Sequence, residues 1–294
     1  MKVIRSKVIG YCFGVANTIE KAQQCIEISK EMSKPCYSIG SIIHNKDVVK
    51  GFHDLGMVTT TKAEGLVPGI ALIRAHGIPD SLRRSYIDAG FTLVDSTCPI
   101  VEKGAVTIRN AASKGIRTII IGVKGHAETE GLQGVETEKG KRAESVLLCC
   151  TNDAQALVKS KSISEDEKIV VVVQTTFPDS EFRKIREILK DYFKNIRFSN
   201  VPCGATAKRQ KAALALACEC DAVVVIGGRE SENTKVLASV VRQSGKPVFC
   251  IENADDISAD MKKELSVFST VGICSGSSTP TAAIRRVEEI LGGI

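Results

Sequence analysis

The chain of 294 residues contains no tryptophan, and all aromatic residues together make up only 4% of it. Proteins that bind single-stranded nucleic acid stack bases on aromatic side chains and concentrate lysine and arginine on one face. No block of five basic residues occurs here, and the net charge of +6 is a mild excess. The composition argues against a nucleic-acid partner and suits an anionic small molecule or an acidic protein.

Long apolar runs are also missing. No window approaches the roughly 18 uncharged apolar residues of a transmembrane helix, and the N-terminal segment MKVIRSKVIGYC lacks the apolar region of a signal peptide. We therefore expect a cytoplasmic protein with no membrane partner, in a compartment that keeps thiols reduced. Eleven cysteines, an odd number, then do not form a disulfide framework, and metal binding or catalysis has to be considered.

Apolar runs alternate with helical patterns along most of the chain. Runs such as IVVVV and AVVVIG are continuously apolar, as expected for parallel strands covered by helices on both faces. Strands that alternate with helices indicate βα units and parallel sheets. The sequence therefore predicts an α/β fold made of compact subdomains joined by short connections.

Small, polar or metal-binding residues follow nearly every predicted strand. Ligands of parallel α/β sheets bind beyond the carboxyl ends of the strands, so these segments are candidate site positions. A cysteine occupies such a position at Cys12, at Cys98 and at Cys203. This recurrence suggests three related units, each of which contributes one thiol to a common centre.

The other eight cysteines lie in or beside helical and apolar patterns, where free cysteine behaves as a small hydrophobic residue. Cys12, Cys98 and Cys203 differ because turn-forming or small residues flank them, and a helix N-terminus there would stabilise a thiolate. Structural zinc needs a fourth ligand and usually a paired C-x-x-C spacing. Three separated thiolates suit an iron–sulfur cluster with one iron left open. A redox-sensing cluster protein, a zinc-stabilised binding module and an iron–sulfur hydro-lyase remain alternatives.

Three of the four histidines, His44, His76 and His126, stand at predicted strand ends. Four short polar residues at other strand ends are further hydrogen-bonding groups suited to a phosphate or diphosphate: Thr175, Ser231, Asn233 and Ser278. Neither a G-x-x-x-x-G-K-S/T loop nor a G-x-G-x-x-G motif is present, so the common nucleotide-binding loops are disfavoured. Glu128 is a candidate proton donor beside His126, and Glu130 in the same segment competes for that role.

Nine short motifs occur in an order that resembles the 4-hydroxy-3-methylbut-2-enyl diphosphate reductase family, from about residue 10 to residue 285: GYCFGV, IHN, RAHG, DSTCP, GHAETEG, QTT, CGAT, GGRESENT and GSSTP. This family catalyses the last step of the non-mevalonate isoprenoid route. The resemblance implies three α/β subdomains with small parallel sheets around a central 4Fe–4S cluster. We expect these subdomains at residues 1–97, 98–195 and 196–294.

The resemblance also implies a role for each matching residue. Cys12, Cys98 and Cys203 would bind the cluster and leave one iron open for the allylic hydroxyl of the substrate. Thr175 would help to position that hydroxyl, and Glu128 would supply the proton. The family's electron donors are ferredoxin and flavodoxin, both acidic. The diphosphate would be bound by six residues: His44, His76, His126, Ser231, Asn233 and Ser278.

Three positions depart from the family's usual pattern. Glu232 stands where the family commonly has serine. Because a diphosphate would repel it, we expect it to turn away, to pair with a neighbour such as Arg229, or to weaken substrate binding. Ala127 replaces a usual proline. Gly204 replaces a residue that is commonly larger.

Overall fold

The computed structural model describes all 294 residues and contains twelve β-strands and eleven α-helices. The strands are β1 (Lys2–Arg5), β2 (Cys36–Ile39), β3 (Met57–Thr60), β4 (Ile70–Ile73), β5 (Thr92–Asp95), β6 (Arg117–Ile121), β7 (Ser145–Leu148), β8 (Lys168–Val173), β9 (Asn195–Phe198), β10 (Ala222–Ile226), β11 (Val248–Ile251) and β12 (Thr270–Ser275). The helices are α1 (Phe13–Glu31), α2 (Lys46–Asp54), α3 (Asp80–Asp88), α4 (Pro99–Ala112), α5 (Ala127–Gln133), α6 (Thr151–Ser160), α7 (Asp179–Tyr192), α8 (Gly204–Cys218), α9 (Glu232–Arg242), α10 (Ala259–Leu265) and α11 (Thr281–Gly292).

The strands form three four-stranded sheets, and all the strand pairs within them are parallel. Their strand orders are β3-β2-β4-β5, β7-β6-β8-β9 and β1-β12-β10-β11. The predicted α/β class with small parallel sheets is therefore confirmed.

Strand β10 shows why continuous apolar runs become central strands. Ala222, Val224 and Ile226 pack into one buried cluster together with residues of β12 and α11. Val223 and Val225 pack into a second cluster with residues of α8 and α9. Because successive side chains of a strand point to opposite faces, both faces of this strand need apolar residues.

The three sheets share one connectivity. In each sheet, one edge strand leads to one of the three cysteines: β5 to Cys98, β9 to Cys203 and β1 to Cys12. Written from that edge strand, the orders are β5-β4-β2-β3, β9-β8-β6-β7 and β1-β12-β10-β11. The first strand completes the third of these sheets, because β1 pairs with β12 from Lys2↔Thr270 to Arg5↔Ile273. Sequence patterns identify a strand but not its partner, so residues 1–5 were expected in the first subdomain although they belong to the last sheet.

The chain divides into two compact units, which are described separately. The C-terminal unit consists of Met1–Asn17, Ile43–Leu55 and Gly204–Ile294, and it contains the sheet β1-β12-β10-β11. The central unit consists of Thr18–Ile42 and Gly56–Cys203, and it contains the other two sheets. None of the helices combines the length and the apolar character that crossing a bilayer requires.

Candidate active site

Each of the three predicted metal-binding cysteines directly precedes the first residue of a helix. Cys12 precedes α1, Cys98 precedes α4, and Cys203 precedes α8. None of the three forms a disulfide, and all three are half-buried. The start of a helix presents backbone N–H groups and a partial positive charge, so each cysteine stands where a negatively charged metal cluster can be held.

The backbone of each cysteine is held in the same way. Its amide donates a hydrogen bond to the carbonyl two residues beyond the end of the neighbouring strand. The pairs are Cys12 with Ser277 at 3.2 Å, Cys98 with Ala75 at 3.0 Å, and Cys203 with Thr175 at 2.8 Å. The repeated hydrogen bond shows that the three thiols occupy equivalent positions in the three sheets.

A second set of equivalent positions lies five residues beyond the ends of β2, β6 and β10, where the chain has His44, His126 and Ser231. His126 caps α5 by accepting a hydrogen bond from the Glu128 amide at its Nδ1 atom, at 3.2 Å. Ser231 caps α9 through its hydroxyl, and His44 directly precedes Asn45, which caps α2. These helix starts present polar groups at the carboxyl ends of the strands.

His76 belongs to a third set of equivalent positions, three residues beyond the ends of β4, β8 and β12. The other two positions hold Thr176 and Ser278. In the central unit, the rings of His76 and His126 meet edge to face with centroids 5.4 Å apart. The acceptor role of Nδ1 in His126 leaves its Nε2 atom to carry the proton, so this ring is a hydrogen-bond donor through Nε2.

Among the candidate site residues of the central unit, Glu128 is the one that is fully buried. Its side chain is 2% exposed, and it accepts two hydrogen bonds of 2.7 Å, one from the Thr175 amide and one from the Thr175 hydroxyl. Burial raises the pKa of Glu128 to about 7, and the two hydrogen bonds from Thr175 partly oppose that rise. A carboxyl group with this pKa is available both as an acid and as a base near neutral pH.

The competing candidate, Glu130, is exposed on the same helix. The difference between two glutamates in one short segment therefore comes from tertiary structure: the carboxyl ends of β6 and β8 bring Thr175 onto Glu128.

Sequence reasoning missed Gln174, which is fully buried and orders the same region. Its Oε1 atom accepts hydrogen bonds from the Val123 amide at 2.7 Å and the Thr129 hydroxyl at 3.1 Å, and its Nε2 atom donates to the Thr176 hydroxyl at 2.8 Å. A Cβ atom on Gly122 would lie 2.6 Å from the Thr129 hydroxyl. The QTT motif contained the signal, because its glutamine directly follows an apolar strand.

In the C-terminal unit, Asn233 stands out. Its side chain is 3% exposed, and neither its amide nitrogen nor its amide oxygen has a hydrogen-bond partner. Ser231 and Ser278 are also buried in this unit. A buried amide without partners costs stability, so Asn233 is a candidate ligand-binding group of this unit.

His44 lies in the same unit and is packed closely through its backbone. A Cβ atom on Gly228 would overlap the His44 carbonyl. Only glycine at position 228 lets the two segments approach to this distance.

Glu232 is paired, but not with the expected residue. Its carboxylate lies 2.8 Å from the Lys235 ammonium, three residues along α9. Arg229 instead contacts Glu252 and Asp256. The suggested pairing with Arg229 is wrong because helix geometry places residues i and i+3 side by side. At Gly204, a side chain would point into open space.

The site residues thus divide between the two units. The central unit holds Cys98, Cys203, His76, His126, Glu128 and Thr175. The C-terminal unit holds Cys12, His44, Ser231, Asn233 and Ser278.

Curated relatives match this chain over nearly its full length. The chain is 33% identical over 295 residues to 4-hydroxy-3-methylbut-2-enyl diphosphate reductase of Solidesulfovibrio magneticus, covering 99% of both chains. It is 34% identical over 292 residues to the enzyme of that name from Caldanaerobacter subterraneus, covering 98% of this chain and 96% of the relative.

Solved structures agree. The structure of E-1-hydroxy-2-methyl-but-2-enyl-4-diphosphate reductase from Plasmodium falciparum matches with a TM-score of 0.86 and 26% identity, over 99% of this chain and 87% of that one. A structure described as the terminal enzyme of the non-mevalonate pathway matches over the full length of both chains, with a TM-score of 0.69 and 27% identity. The model of the LytB protein family matches residues 3–292. The chain therefore belongs to the LytB protein family.

Proposed function

We propose that this protein is a 4-hydroxy-3-methylbut-2-enyl diphosphate reductase. It removes the allylic hydroxyl of its substrate as water, with two electrons and two protons, and yields isopentenyl and dimethylallyl diphosphate. The observation that carries the proposal is the buried Glu128 carboxyl on Thr175. A reaction that expels hydroxide needs a proton donor that is still protonated at neutral pH, and the pKa of about 7 meets that need.

Cys12, Cys98 and Cys203 would hold one 4Fe–4S cluster, with one iron left open for substrate. The residues fit this group, since three cysteines that form no disulfide stand at helix N-termini with the same backbone hydrogen bond. Soft thiolate ligands suit iron–sulfur clusters. When bound, the cluster supplies electrons and a Lewis-acidic iron for the hydroxyl oxygen.

Six residues bind the diphosphate. His44, His76 and His126 donate from their imidazole rings, while the hydroxyls of Ser231 and Ser278 and the side-chain amide of Asn233 complete the set. The unpaired amide of Asn233 supports this assignment directly, because a phosphate oxygen would accept from its nitrogen. Helix starts at His126 and Ser231 add backbone dipoles that favour an anion.

Glu128 and Thr175 transfer a proton to the substrate. The protonated carboxyl donates to the Thr175 hydroxyl, which in turn donates to the departing hydroxyl of the substrate. After loss of water, the Glu128 carboxylate keeps its hydrogen bond from the Thr175 amide. Burial then favours recovery of a proton from solvent, because the charged form is poorly solvated.

The electrons come from a ferredoxin or a flavodoxin in the cytoplasm. Both are acidic proteins, and the net charge of +6 favours association with them. The proposal keeps three α/β subdomains, at residues 1–97, 98–195 and 196–294, with β1 added to the sheet of the last.

The test is anaerobic turnover of cluster-loaded protein with the hydroxylated allylic diphosphate and a reduced viologen dye. Substrate-dependent dye oxidation is the expected result. Glu128→Gln should keep the iron and abolish turnover, whereas the exposed matched control Glu130→Gln should retain both. A loaded wild-type protein that leaves the dye reduced would refute the reductase, and full activity of Glu128→Gln would refute the proton-donor role.

A further inference from the structure

Arg209 on α8 is a buried cation that no carboxylate neutralises. Its side chain is 3% exposed, and it forms no ion pair with any carboxylate. Its guanidinium donates to two backbone carbonyls, from Nη1 to Ser275 at 2.8 Å and from Nη2 to Gly10 at 2.7 Å.

These two hydrogen bonds use only part of the Arg209 side chain. A guanidinium has five N–H donors, and the two backbone carbonyls accept from only two of them. The thiols of Cys12 and Cys274 are close enough to interact with its charge. Arg209 therefore lies close to Cys12, one of the three candidate cluster ligands, and has donors to spare.

The hydrogen bonds of Arg209 also hold the loop that carries Cys12. Gly10, two residues before Cys12, has a φ of 82°, and its amide donates to the Ser275 hydroxyl at 2.9 Å. Arg209 therefore hydrogen-bonds the carbonyl of Gly10, and Ser275 hydrogen-bonds its amide. A left-handed glycine held at both groups fixes the direction in which the chain enters Cys12.

Equivalent positions in the other two helices carry no charge. Arg209 lies six residues after Cys203, and the residues six positions after Cys12 and Cys98 are Thr18 and Gly104. The repeated architecture therefore has one buried cation, and its two hydrogen-bonded carbonyls belong to the segments around Cys12.

We propose that Arg209 is a positioning residue for the cluster ligand Cys12, and that its buried positive charge raises the reduction potential of the cluster. The inference rests on the proposed function, because it requires a cluster bound by Cys12. A cation close to a cluster stabilises the reduced form, which carries one more negative charge than the oxidised form.

The experiment is a redox titration, followed by electron paramagnetic resonance, of the anaerobically loaded protein and three variants. Arg209→Gln removes the charge, Arg209→Lys keeps the charge but cannot make both carbonyl bonds, and Lys208→Gln is the matched control. Lys208 is the exposed neighbour on the same helix and forms no ion pair. Iron release to a chelator is measured on each loaded protein as a second readout.

For Arg209→Gln we expect the ratio of reduced to oxidised cluster at the wild-type midpoint to fall at least tenfold, which is about 59 mV for one electron. Lys208→Gln should lower it less than twofold, since an exposed charge is screened. Arg209→Lys should keep a potential close to that of the wild type and release iron faster.

A wild-type potential in Arg209→Gln would overturn the proposal. If Arg209→Gln takes up no cluster, Arg209→Lys decides: faster iron release supports the proposal, and wild-type release overturns it. Normal turnover and an unchanged potential in Arg209→Gln would refute this inference alone. A wild-type protein that binds no iron and sulfide would refute the proposed function as well.

Discussion

Replacing Glu128 with glutamine keeps the shape of this buried side chain and removes its ability to ionise. In the wild-type protein, one carboxyl oxygen accepts from the Thr175 amide and the other contacts the Thr175 hydroxyl. A glutamine can accept from the same amide and donate to the same hydroxyl, so it imitates the protonated glutamate. The variant therefore isolates the cost of ionising Glu128 inside the protein.

The size of that cost follows from the pKa. Because burial raises the pKa of Glu128 from 4.5 to about 7, the native state binds this proton more tightly than the unfolded chain does. Below about pH 4.5 both states are protonated and the group has no effect on stability. As the pH rises from about 4.5 to about 7, the unfolded chain loses this proton while the native state keeps it, so the wild-type protein loses about 3 kcal/mol of unfolding free energy relative to the variant.

Urea unfolding of the anaerobically purified proteins, at steps from about pH 5 to about pH 8, measures this difference. We expect Glu128→Gln to exceed the wild type in stability by an amount that grows with pH and levels off above about pH 7. Glu130→Gln, which removes an exposed carboxyl from the same helix, controls for the loss of one negative charge. A stability difference between Glu128→Gln and wild type that does not change with pH would refute the raised pKa and with it the proposed proton donor.

Three further variants test separate parts of the site. Thr175→Val removes both the hydroxyl that relays the proton and a hydrogen bond that lowers the pKa of the buried carboxyl. Turnover should fall, and the alkaline limb of the remaining pH–rate profile should move up by about one pH unit. Thr175→Ser should restore both. Asn233→Ala removes a buried amide without protein partners. The free energy of thermal unfolding should therefore change by no more than about 1 kcal/mol, while the KM for substrate should rise about tenfold or more. An unchanged KM would argue against diphosphate binding at Asn233. In Gly228→Ala, the new Cβ atom would overlap the His44 carbonyl, so the free energy of thermal unfolding should fall by about 1–3 kcal/mol. Gly204→Ala is the control: its Cβ atom meets open space, so the same free energy should change by less than about 0.5 kcal/mol.

The fold class could be predicted because its signal is local. A run such as AVVVIG is apolar on both faces, and only a parallel strand covered by helices on both sides needs that pattern. The partner of β1 could not be predicted in this way. Its pairing with β12 joins residues that are almost the whole chain apart, and no local pattern contains that information.

The candidate site was predictable where turn chemistry marks it. Cys98, for example, stands between Thr97 and Pro99, just past an apolar run and just before a helix. The choice between Glu128 and Glu130 was not predictable, because it depends on burial against Thr175, 47 residues along the chain. Gln174 was missed for a related reason, since its role appears only when the residues that it hydrogen-bonds are known.

Two equivalent positions show how one repeated scaffold acquires different chemistry. Glu128 and Asn233 each lie two residues after a helix-capping residue, His126 and Ser231 respectively. Both side chains are buried, yet the carboxyl is satisfied by its own protein and the amide is not. A proton donor has to be held by the protein so that its pKa is set before substrate arrives, whereas a binding group gains most when its partner is the ligand itself. In the proposed function, the asymmetry between these two positions therefore assigns the acid of the reaction to Glu128 and substrate recognition to Asn233.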